Sequence, residues 1–401
     1  MIRVRQVKVP ILESDKLLSK IASKIRVDKS FILDFNIIKR SIDARDKSNI
    51  LYVYEVDVSL ANEDKVLKKN KSVDILKSPS LEYKYNITGK DKLLSRPIVV
   101  GSGPSGLFCA YFLAEAGFRP IVLERGEKVE DRVLSVEKFF NSNELNTSSN
   151  VQFGEGGAGT FSDGKLNTLV KDKLNRGRKV FEIFVENGAP SEIMYDAHPH
   201  IGTDILRNVI KNIREKIISM GGEFRYNSCV TDIYISNGSV TGVQVNNSYD
   251  ISTDIVVLAI GHSARDTFHL LYDKGINMRP KNFAVGVRIE HPRSMIDWNQ
   301  YGKFSKVLGA ASYKLTHTTS SGRGVYSFCM CPGGFVVNAS SEEGRLVVNG
   351  MSNYKRDEKN SNSALVVTVG PKDFGDNPMD GIEFQRKLEE KAYIAGKGFL
   401  P

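Results

Sequence analysis

The segment Ile98-Val-Val-Gly-Ser-Gly-Pro-Ser-Gly106 is the strongest indication of the fold, because it joins a short apolar run to the pattern Gly101-x-Gly103-x-x-Gly106. Small and apolar residues at helical spacing follow it, and Pro120-Ile-Val-Leu-Glu124 then reads as a second strand. A strand–helix–strand unit with three glycines in its first turn is typical of a dinucleotide-binding fold.

Each glycine of this turn has a physical role toward a pyrophosphate group. The first permits a tight turn, the second leaves room for the phosphates, and the third lets the helix pack closely on the sheet. The helix N-terminus directs unpaired N–H groups at the phosphates, and a proline suits an early helical position. We therefore predict a cofactor contact for each residue of the turn, namely Gly101, Ser102, Gly103, Pro104, Ser105 and Gly106.

Two features after the turn favour FAD over NAD. Glu124, followed by Arg125, ends the second strand near the place where an acid accepts a hydrogen bond from the adenosine ribose, which disfavours NADP. The glycine-rich loop from Gln152 to Lys165 exposes backbone suited to a flat ring or a phosphate. Its own Gly-x-Gly-x-x-Gly lacks a flanking strand or helix, so we interpret it as a cofactor-contact loop. The predicted contacts are Arg125, Gly157, Ala158, Gly159, Thr160 and Lys165.

Two later segments extend the predicted cofactor site. Residues 224–235 read as one strand, in which Val230 would bring backbone near an adenine. Residues 255–262 read as a buried strand whose small end residues, Ala259 and Gly261, let the backbone approach the cofactor. Arg265 would neutralise the pyrophosphate or pair with Asp266.

Residues 1–88 predict a separate α+β unit. Residues 3–10 alternate like a strand, apolar residues at helical spacing follow Ser14 as a helix N-cap, and two further β-like runs cover 31–41 and 50–59. This strand–helix–strand–strand beginning suggests a ferredoxin-like sandwich. Residues 89–96 read as a linker.

Composition excludes several classes of protein. Of the 401 residues, 41% are hydrophobic and 26% charged, which is ordinary for a globular protein. There is no membrane-length apolar run and no secretory signal, and four cysteines do not make a disulfide framework, so a cytoplasmic location is expected. Most of the net charge of +9 lies in the N-terminal quarter. That basicity is either a solvated lysine-rich face or a surface for nucleic acid or an acidic partner.

The chain resembles the uncharacterised FAD-dependent dehydrogenases of bacteria, also described as NAD- or FAD-utilising dehydrogenases. The segments that carry the resemblance are Ser41–Arg45, Gly101–Gly106, Val122–Gly126, Asn150–Leu166, Asp196–Asp204, Gly261–Phe268, Phe283–His291, Arg323–Gly334 and Val348–Ser352. The resemblance implies an α/β glutathione-reductase-like FAD/NAD(P)-binding Rossmann domain, with an inserted α+β substrate domain and the N-terminal ferredoxin-like domain. We expect these domains at residues 1–92 (ferredoxin-like), 93–278 (FAD-binding) and 279–401 (substrate).

The resemblance also implies a function. We expect an FAD-dependent oxidoreductase that acts on an unknown small molecule, with NADH or NADPH as a transient electron donor. The alternatives are a flavoprotein that docks RNA through residues 1–92, and a non-catalytic flavin or nucleotide sensor. Members of the family continue beyond the point where this chain stops, so we expect a truncated C-terminus. No membrane association is expected, and the sequence does not specify an oligomeric state.

Candidate substrate residues follow from their types and spacing. Arg288 and Glu290 share one face of a predicted strand, where Arg288 would grip a substrate carboxylate or form a structural ion pair. His198-Pro-His200 would bind an acidic group, ligate a metal, or cap the helix that follows. Cys329-Met-Cys331 would point two thiols to one face, short of the four ligands of a zinc site, so packing is the main alternative to redox chemistry. We assign no catalytic residue and no metal.

Overall fold

The computed structural model describes residues 1–85, 88–89, 92–166 and 172–398 of a mixed α/β protein. The chain divides into two compact units, one formed by residues 1–85, 165–201 and 293–311, the other by 86–164, 202–292 and 312–401. The domain boundaries expected from the sequence stay predictions. Residues 90 and 91 of the predicted linker, and the last three residues of the chain, lie outside the described part.

The secondary structure elements are named here in chain order. The strands are β1 (Ile2–Pro10), β2 (Ile32–Asp43), β3 (Leu51–Leu60), β4 (Ile75–Lys77), β5 (Ile98–Val100), β6 (Ile121–Leu123), β7 (Glu223–Arg225), β8 (Val230–Ser236), β9 (Ser239–Val245), β10 (Tyr249–Ser252), β11 (Val256–Leu258), β12 (Phe283–Pro292), β13 (Thr316–Thr318), β14 (Gly324–Cys331), β15 (Phe335–Asn338), β16 (Val348–Met351) and β17 (Asn360–Val369). The helices are α1 (Leu17–Ile25), α2 (Glu63–Lys69), α3 (Pro104–Glu115), α4 (Val129–Ser142), α5 (Arg176–Glu186), α6 (Thr203–Ser219), α7 (Arg265–Asp273), α8 (Arg293–Tyr301), α9 (Ser305–Leu308), α10 (Pro371–Phe374) and α11 (Asp380–Ala395).

The first unit contains an antiparallel sheet in the order β2-β3-β1-β4, with α1 and α2 as the connections between β1 and β2 and between β3 and β4. Alternate residues of β1 and β3 form an apolar core with the buried face of α1, where Ile21 and Ile25 are fully buried. The prediction that Ser14 caps α1 is wrong, because Ser14 lies in a 3-10 turn that precedes the helix, and the N-cap is Lys16.

In the same unit, a later segment pairs with the edge strand β2. The backbone N–H of Arg40 donates to the carbonyl of Tyr195 at 2.7 Å, and the Arg40 Nε donates to Asp196 Oδ1 at 2.8 Å. The Arg40 guanidinium also lies 5.1 Å from the Tyr195 ring centroid. These contacts cover part of a strand edge that would otherwise present unpaired backbone groups.

The second unit begins with a parallel sheet in the order β11-β5-β6-β7, whose strands are only three residues long. Two expectations are corrected here. Residues 224–235 are two strands, because the chain turns between β7 and β8, and β8 joins a separate antiparallel sheet, β10-β9-β8. The strand expected over 255–262 is limited to β11, and as an edge strand it is partly exposed, Leu258 by 42%.

The C-terminal part of the second unit is an antiparallel sheet in the order β12-β17-β14-β13, accompanied by the hairpin β15–β16. The hairpin residues Val337 and Met351 belong to one apolar cluster with Val151 and Phe161 of the glycine-rich loop. The loop is therefore supported by the C-terminal part of its own unit. In the described part of the chain, no helix is both long and apolar enough to cross a membrane.

Candidate functional site

The three glycines of the first turn differ in what surrounds them. Gly101 has φ +96°, and a Cβ added there would lie 2.5 Å from the Ala259 carbonyl oxygen. A Cβ at Gly106 would lie 1.9 Å from the Gly101 carbonyl oxygen. At Gly103 the nearest atom to an added Cβ would be the Cα of Gly157, at 3.8 Å. The outer glycines are therefore required by the protein itself, whereas the middle one has open space in front of it.

That open space belongs to a cavity of about 670 Å³ at the carboxyl end of the parallel sheet. The volume lies within the range of about 300–1,000 Å³ that is typical of ligand and cofactor pockets. Most of the predicted cofactor residues line it, namely Gly101, Gly103, Pro104, Ser105, Glu124, Arg125, Gly157, Ala158, Gly159, Val230, Ala259 and Gly261. In open α/β sheets, ligands bind at this carboxyl end, at the point where the strand order reverses.

Three predicted residues stand behind the cavity wall instead of lining it. Ser102 is fully buried, and both its N–H and its hydroxyl donate to Glu124 Oε2, at 2.8 and 2.7 Å. Thr160 is also buried, and its hydroxyl donates to the Glu155 carbonyl at 3.2 Å. Gly106 packs against the turn as described. These residues shape the wall without facing the cavity.

Two further predicted contacts lie elsewhere. Lys165 belongs to the first unit, where it forms an isolated antiparallel bridge with His200. Arg265 does not pair with Asp266 and does not line the cavity. Its buried guanidinium donates to both oxygens of Glu389 on α11, at 2.8 and 2.6 Å, and to Glu342 at 3.1 Å. A buried guanidinium needs polar partners inside the protein. The carboxylate partners of Arg265 come from the C-terminal region of the chain, so the sequence around Arg265 does not reveal them.

Glu124 is more heavily bonded than the sequence suggested. One carboxylate oxygen accepts both bonds from Ser102, and the other accepts from the N–H groups of Gly126 at 2.9 Å and Gly154 at 3.1 Å. A carboxylate offers about four acceptor positions, so the set is complete. Glu124 thus ties the glycine turn, the end of β6 and the glycine-rich loop together. A ribose hydroxyl would bond to it by replacing the Ser102 hydroxyl.

Arg125 is fixed at the cavity wall by three contacts. Its Nη2 donates to Asp266 Oδ1 at 2.8 Å and to the Thr267 hydroxyl at 3.2 Å, and its guanidinium lies 4.4 Å from the centroid of the Phe153 ring. The pairing with Asp266 that we expected of Arg265 is therefore made by Arg125. A guanidinium stacked on a ring and bonded to a carboxylate is held in one orientation.

The residue that sequence reasoning missed is Arg132 on α4. It is fully buried, and it donates to the carbonyls of Asn150 at 2.8 Å, Val151 at 3.0 Å, Glu155 at 2.6 Å and Gly157 at 3.0 Å. Its burial lowers the pKa of the guanidinium to about 10. These bonds turn the carbonyls of the glycine-rich loop toward α4 and away from the cavity that the loop lines.

A sequence signal for Arg132 did exist. It occupies an apolar position of α4, where its helical neighbours Val129, Val136 and Phe139 are all buried. An arginine at such a position must find partners inside the protein. Which partners it finds depends on the tertiary fold.

A buried ion pair lies beneath the same loop. Arg214 on α6 donates to Glu155 Oε2 at 2.7 Å and to both carboxylate oxygens of Glu130, at 3.0 and 2.6 Å. The bond from Arg214 lowers the pKa of Glu130 to about 2, whereas burial raises the pKa of Glu155. The loop is therefore held by charged groups on α4 and α6 as well as by the apolar cluster.

The predicted substrate residues fall in two different units of the chain. His198 is exposed and His200 half-buried in the first unit, and neither caps α6, whose N-cap is Gly202 without a side-chain bond. Arg288 lies on β12 and donates to Asn362 and to the Cys329 carbonyl, and it has no carboxylate partner among the residues that the structure describes. Among the described residues no group of His, Cys, Asp and Glu could hold a metal ion.

We expected the two neighbouring thiols to share one face of the strand, and the structure shows that they do not. A bulge between Phe328 and Cys331 interrupts the alternation of β14, and Cys329 has φ +47°. Cys331 is buried and Cys329 half-buried, and neither forms a disulfide. Packing is the role that this geometry supports.

The cavity fits a dinucleotide. The open space before Gly103, which any side chain would fill, adjoins the N-terminus of α3 and the glycine-rich loop. Gly103, Ser105, Gly157 and Ala158 line the same space, so their backbone would face the pyrophosphate. Glu124 and Arg125 line it as the polar groups nearest to the end of β6.

Comparison with known families matches three segments of the chain. Residues 282–400 match the FAD-dependent protein, C-terminal domain-like family, and residues 99–141 match the NAD(P)-binding Rossmann-like domain. Residues 1–59 match a domain of unknown function. FAD is therefore the cofactor that the chain is built to use.

Solved structures show only distant likeness. THI4 from Thermovibrio ammonificans is 20% identical with a TM-score of 0.31, over 45% of this chain and 63% of that one. The tetracycline destructase Tet(51) is 16% identical with a TM-score of 0.32, over 74% of this chain and 62% of that one. The chain thus spans less than two thirds of the length of either protein.

One relative is much closer in sequence. An uncharacterised protein of Clostridium beijerinckii (strain ATCC 51743 / NCIMB 8052) is 47% identical over 402 residues, which cover 99% of this chain and 75% of the relative. The alignment includes the glycine turn, the glycine-rich loop and the C-terminal sheet. The chain belongs to the same family as this relative, and the matched domains show that the family is of the FAD-dependent type.

Proposed function

We propose that the protein is an FAD-dependent oxidoreductase that transfers a hydride or electrons between a small molecule and the flavin, with NADH or NADPH as a transient donor. The observation that carries the proposal is the cavity in front of Gly103, bounded by a loop whose carbonyls are turned away from it by Arg132. When bound, FAD supplies the redox chemistry itself. The protein's task is to bind and orient the cofactor and the substrate.

Different residues of the cavity contribute to binding and orienting the cofactor in different ways. The N–H groups at the start of α3 and in the glycine-rich loop favour negative charge, as helix N-termini and exposed backbone donors do. Ser102 and Gly154 are fixed through Glu124, so the turn and the loop keep one relative position. The wall is thus preorganised before the cofactor binds, which lowers the entropic cost of binding.

The finer architecture is part of the same proposal. The order β2-β3-β1-β4, with a helix in each of the two crossovers, supports a ferredoxin-like N-terminal unit. The parallel sheet β11-β5-β6-β7 with the separate sheet β10-β9-β8 supports a glutathione-reductase-like cofactor region. The sheet β12-β17-β14-β13 would then carry the substrate side.

The test is anaerobic reduction of the FAD-loaded protein by NADH and, separately, by NADPH. We expect the visible absorption band of the flavin to bleach with one of the two and to return when oxygen is admitted. A band that neither donor bleaches would contradict the nicotinamide step and leave a direct substrate oxidation. Failure to bind FAD at all would contradict the whole proposal.

A further inference from the structure

Most buried or half-buried arginines of the second unit pair with a carboxylate, whereas Arg132, Arg207 and Arg288 have none within ion-pair distance among the described residues. Arg214, Arg265 and Arg356 each pair with a carboxylate within 2.9 Å. Arg288 is half-buried, yet in the described part of the chain no carboxylate lies within ion-pair distance of it. Glu290, on the same face of β12, instead accepts from the N–H of Val336.

The guanidinium of Arg288 is nevertheless fixed. Its Nη1 donates to Asn362 Oδ1 and to the Cys329 carbonyl at 3.2 Å. A Cβ at Gly350 would lie 2.4 Å from that Nη1, so the absence of a side chain at Gly350 makes room for the arginine. Because one terminal nitrogen takes all these contacts, the edge formed by Nε and Nη2 keeps its donors. That edge is the one that binds a carboxylate with two parallel hydrogen bonds.

A second donor lies on the residue that holds the arginine. Asn362 is fully buried, and its Nδ2 has no hydrogen-bond partner among the described residues. The amide orientation is set by the bond from Arg288 to Oδ1, since turning the amide would place two donors face to face. A buried amide without a partner is costly, so a ligand oxygen that reached it would gain stability.

The surroundings of Arg288 are apolar on one side. In the sheet register, Arg288 lies opposite Ala364, and Ala364 lies opposite Phe328, so the three share one face. Phe328 is 61% exposed. An exposed aromatic side chain on the same face as a guanidinium without a carboxylate partner suits a ligand with a carboxylate at one end and an apolar body.

The position relative to the cofactor loop follows from the hairpin. Met351 of β16 packs with Val151 and Phe161 of the loop, and Gly350, the next residue toward the N-terminus, faces Arg288. Neighbouring residues of a strand point to opposite sides. The hairpin therefore lies between the cofactor loop and Arg288.

We propose that Arg288 and Asn362 form a carboxylate-binding subsite, and that the substrate is an organic acid with an apolar part. The assignment of this subsite to the substrate rests on the oxidoreductase function that is proposed above. The binding of the acid itself does not, because every group that carries it belongs to the protein.

The experiment uses benzoate as the probe, and calorimetric titration of the whole chain loaded with FAD. We expect benzoate to bind, and benzamide, which has the same shape without the charge, to bind at least about 10-fold more weakly. Arg288→Gln should weaken benzoate binding about 10- to 100-fold, as expected for loss of charged hydrogen bonds, and Arg288→Lys should restore part of it. The control Arg279→Gln changes an exposed arginine of the same unit and should leave the affinity unchanged.

Two additional measurements distinguish failure of the subsite from failure of folding and from failure of FAD binding. If Arg288→Gln does not fold, Phe328→Ala removes an exposed ring and should weaken benzoate but not inorganic phosphate. Equal binding of phosphate and benzoate would overturn the organic-acid assignment, and failure of wild-type protein to bind benzoate at millimolar concentration would overturn the subsite. The visible spectrum of each sample reports FAD separately, so loss of flavin with benzoate binding retained contradicts the proposed function alone.

Discussion

The N-terminal sheet has a mainly apolar core beside the buried pair Arg3 and Asp57, whereas the cofactor region buries many more polar groups. Strands β1, β2 and β3 are 9, 12 and 10 residues long, and their core consists of hydrophobic side chains such as Val4, Val56 and Ile21. Strands β5, β6, β7 and β11 have three residues each, and the segments that follow them bury Glu124, Arg132 of α4 and other polar groups.

This contrast explains how a binding cavity stays open in a folded chain. Apolar side chains pack until no space remains, as in the N-terminal core. Around the cavity, backbone carbonyls are bonded to Arg132 and backbone N–H groups to Glu124, so the loops keep their shape without side chains that would fill the space. We therefore expect substitutions in the two regions to separate stability from cofactor binding.

The largest effect is expected from Gly106→Ala. The added Cβ would meet the Gly101 carbonyl oxygen at 1.9 Å, so the turn and α3 must move apart and the cofactor region should fail to fold. Circular dichroism and thermal unfolding would show the loss. Gly324→Ala is the control, because its Cβ would come no closer than 3.8 Å to Thr368 Oγ1. Normal unfolding of Gly106→Ala would contradict the close packing of α3.

The next effect is expected from Arg132→Gln. Each loop carbonyl left without a donor costs about 1–3 kcal/mol, and several lose their partner at once. The apo protein should unfold at a clearly lower temperature, and FAD affinity should fall further than stability alone explains. Arg279→Gln serves as the exposed control. If FAD affinity stayed normal in a folded Arg132→Gln protein, the loop would not depend on this arginine.

Ile21→Ala tests the other region. Ile21 is fully buried in the N-terminal core, so the cavity created should cost about 2–5 kcal/mol in free energy of unfolding. FAD affinity should remain that of the wild type, because the change lies in the core between α1 and the sheet. Urea unfolding with parallel FAD titration measures both. The neighbouring exposed Lys20→Ala should change neither. A marked loss of FAD binding in Ile21→Ala would link the two regions.

The smallest effect is a dependence on pH. Arg214 lowers the pKa of Glu130 to about 2 in the folded chain, below the ordinary value of 4.5. The stability that Glu130 contributes is thus present above pH 4.5 and is lost as the pH falls toward 2. Because Glu130 is partly exposed, its worth is about 1 kcal/mol or less. The difference in melting temperature between wild type and Glu130→Gln should shrink from pH 6 to pH 3, and a constant difference would contradict the pairing.

Local patterns predicted the parts of the fold that depend on nearby residues. The alternation in β1 and the apolar spacing of α1 are properties of single segments, and both elements formed where expected. The glycine turn carries its own geometric requirement, so its spacing alone placed it between β5 and α3.

The missed features depend on residues far apart in the chain. Arg265 pairs with Glu389, and Arg288 bonds to Asn362. The positions of these residues along the sequence predict neither contact. The partners of Arg132 could not be predicted, because they are backbone carbonyls, which every residue carries. The chain turn between β7 and β8 escaped notice because residues on both sides of it favour strands.

The central claim is that the space before Gly103 receives the phosphates of FAD. Its most direct test is an equilibrium titration of FAD into wild-type protein and into Gly103→Val, with thermal unfolding of both apo proteins as the check of folding. We predict equimolar FAD in the wild type, and a Gly103→Val protein that melts at the same temperature but binds no FAD. Normal FAD stoichiometry in Gly103→Val would contradict the account.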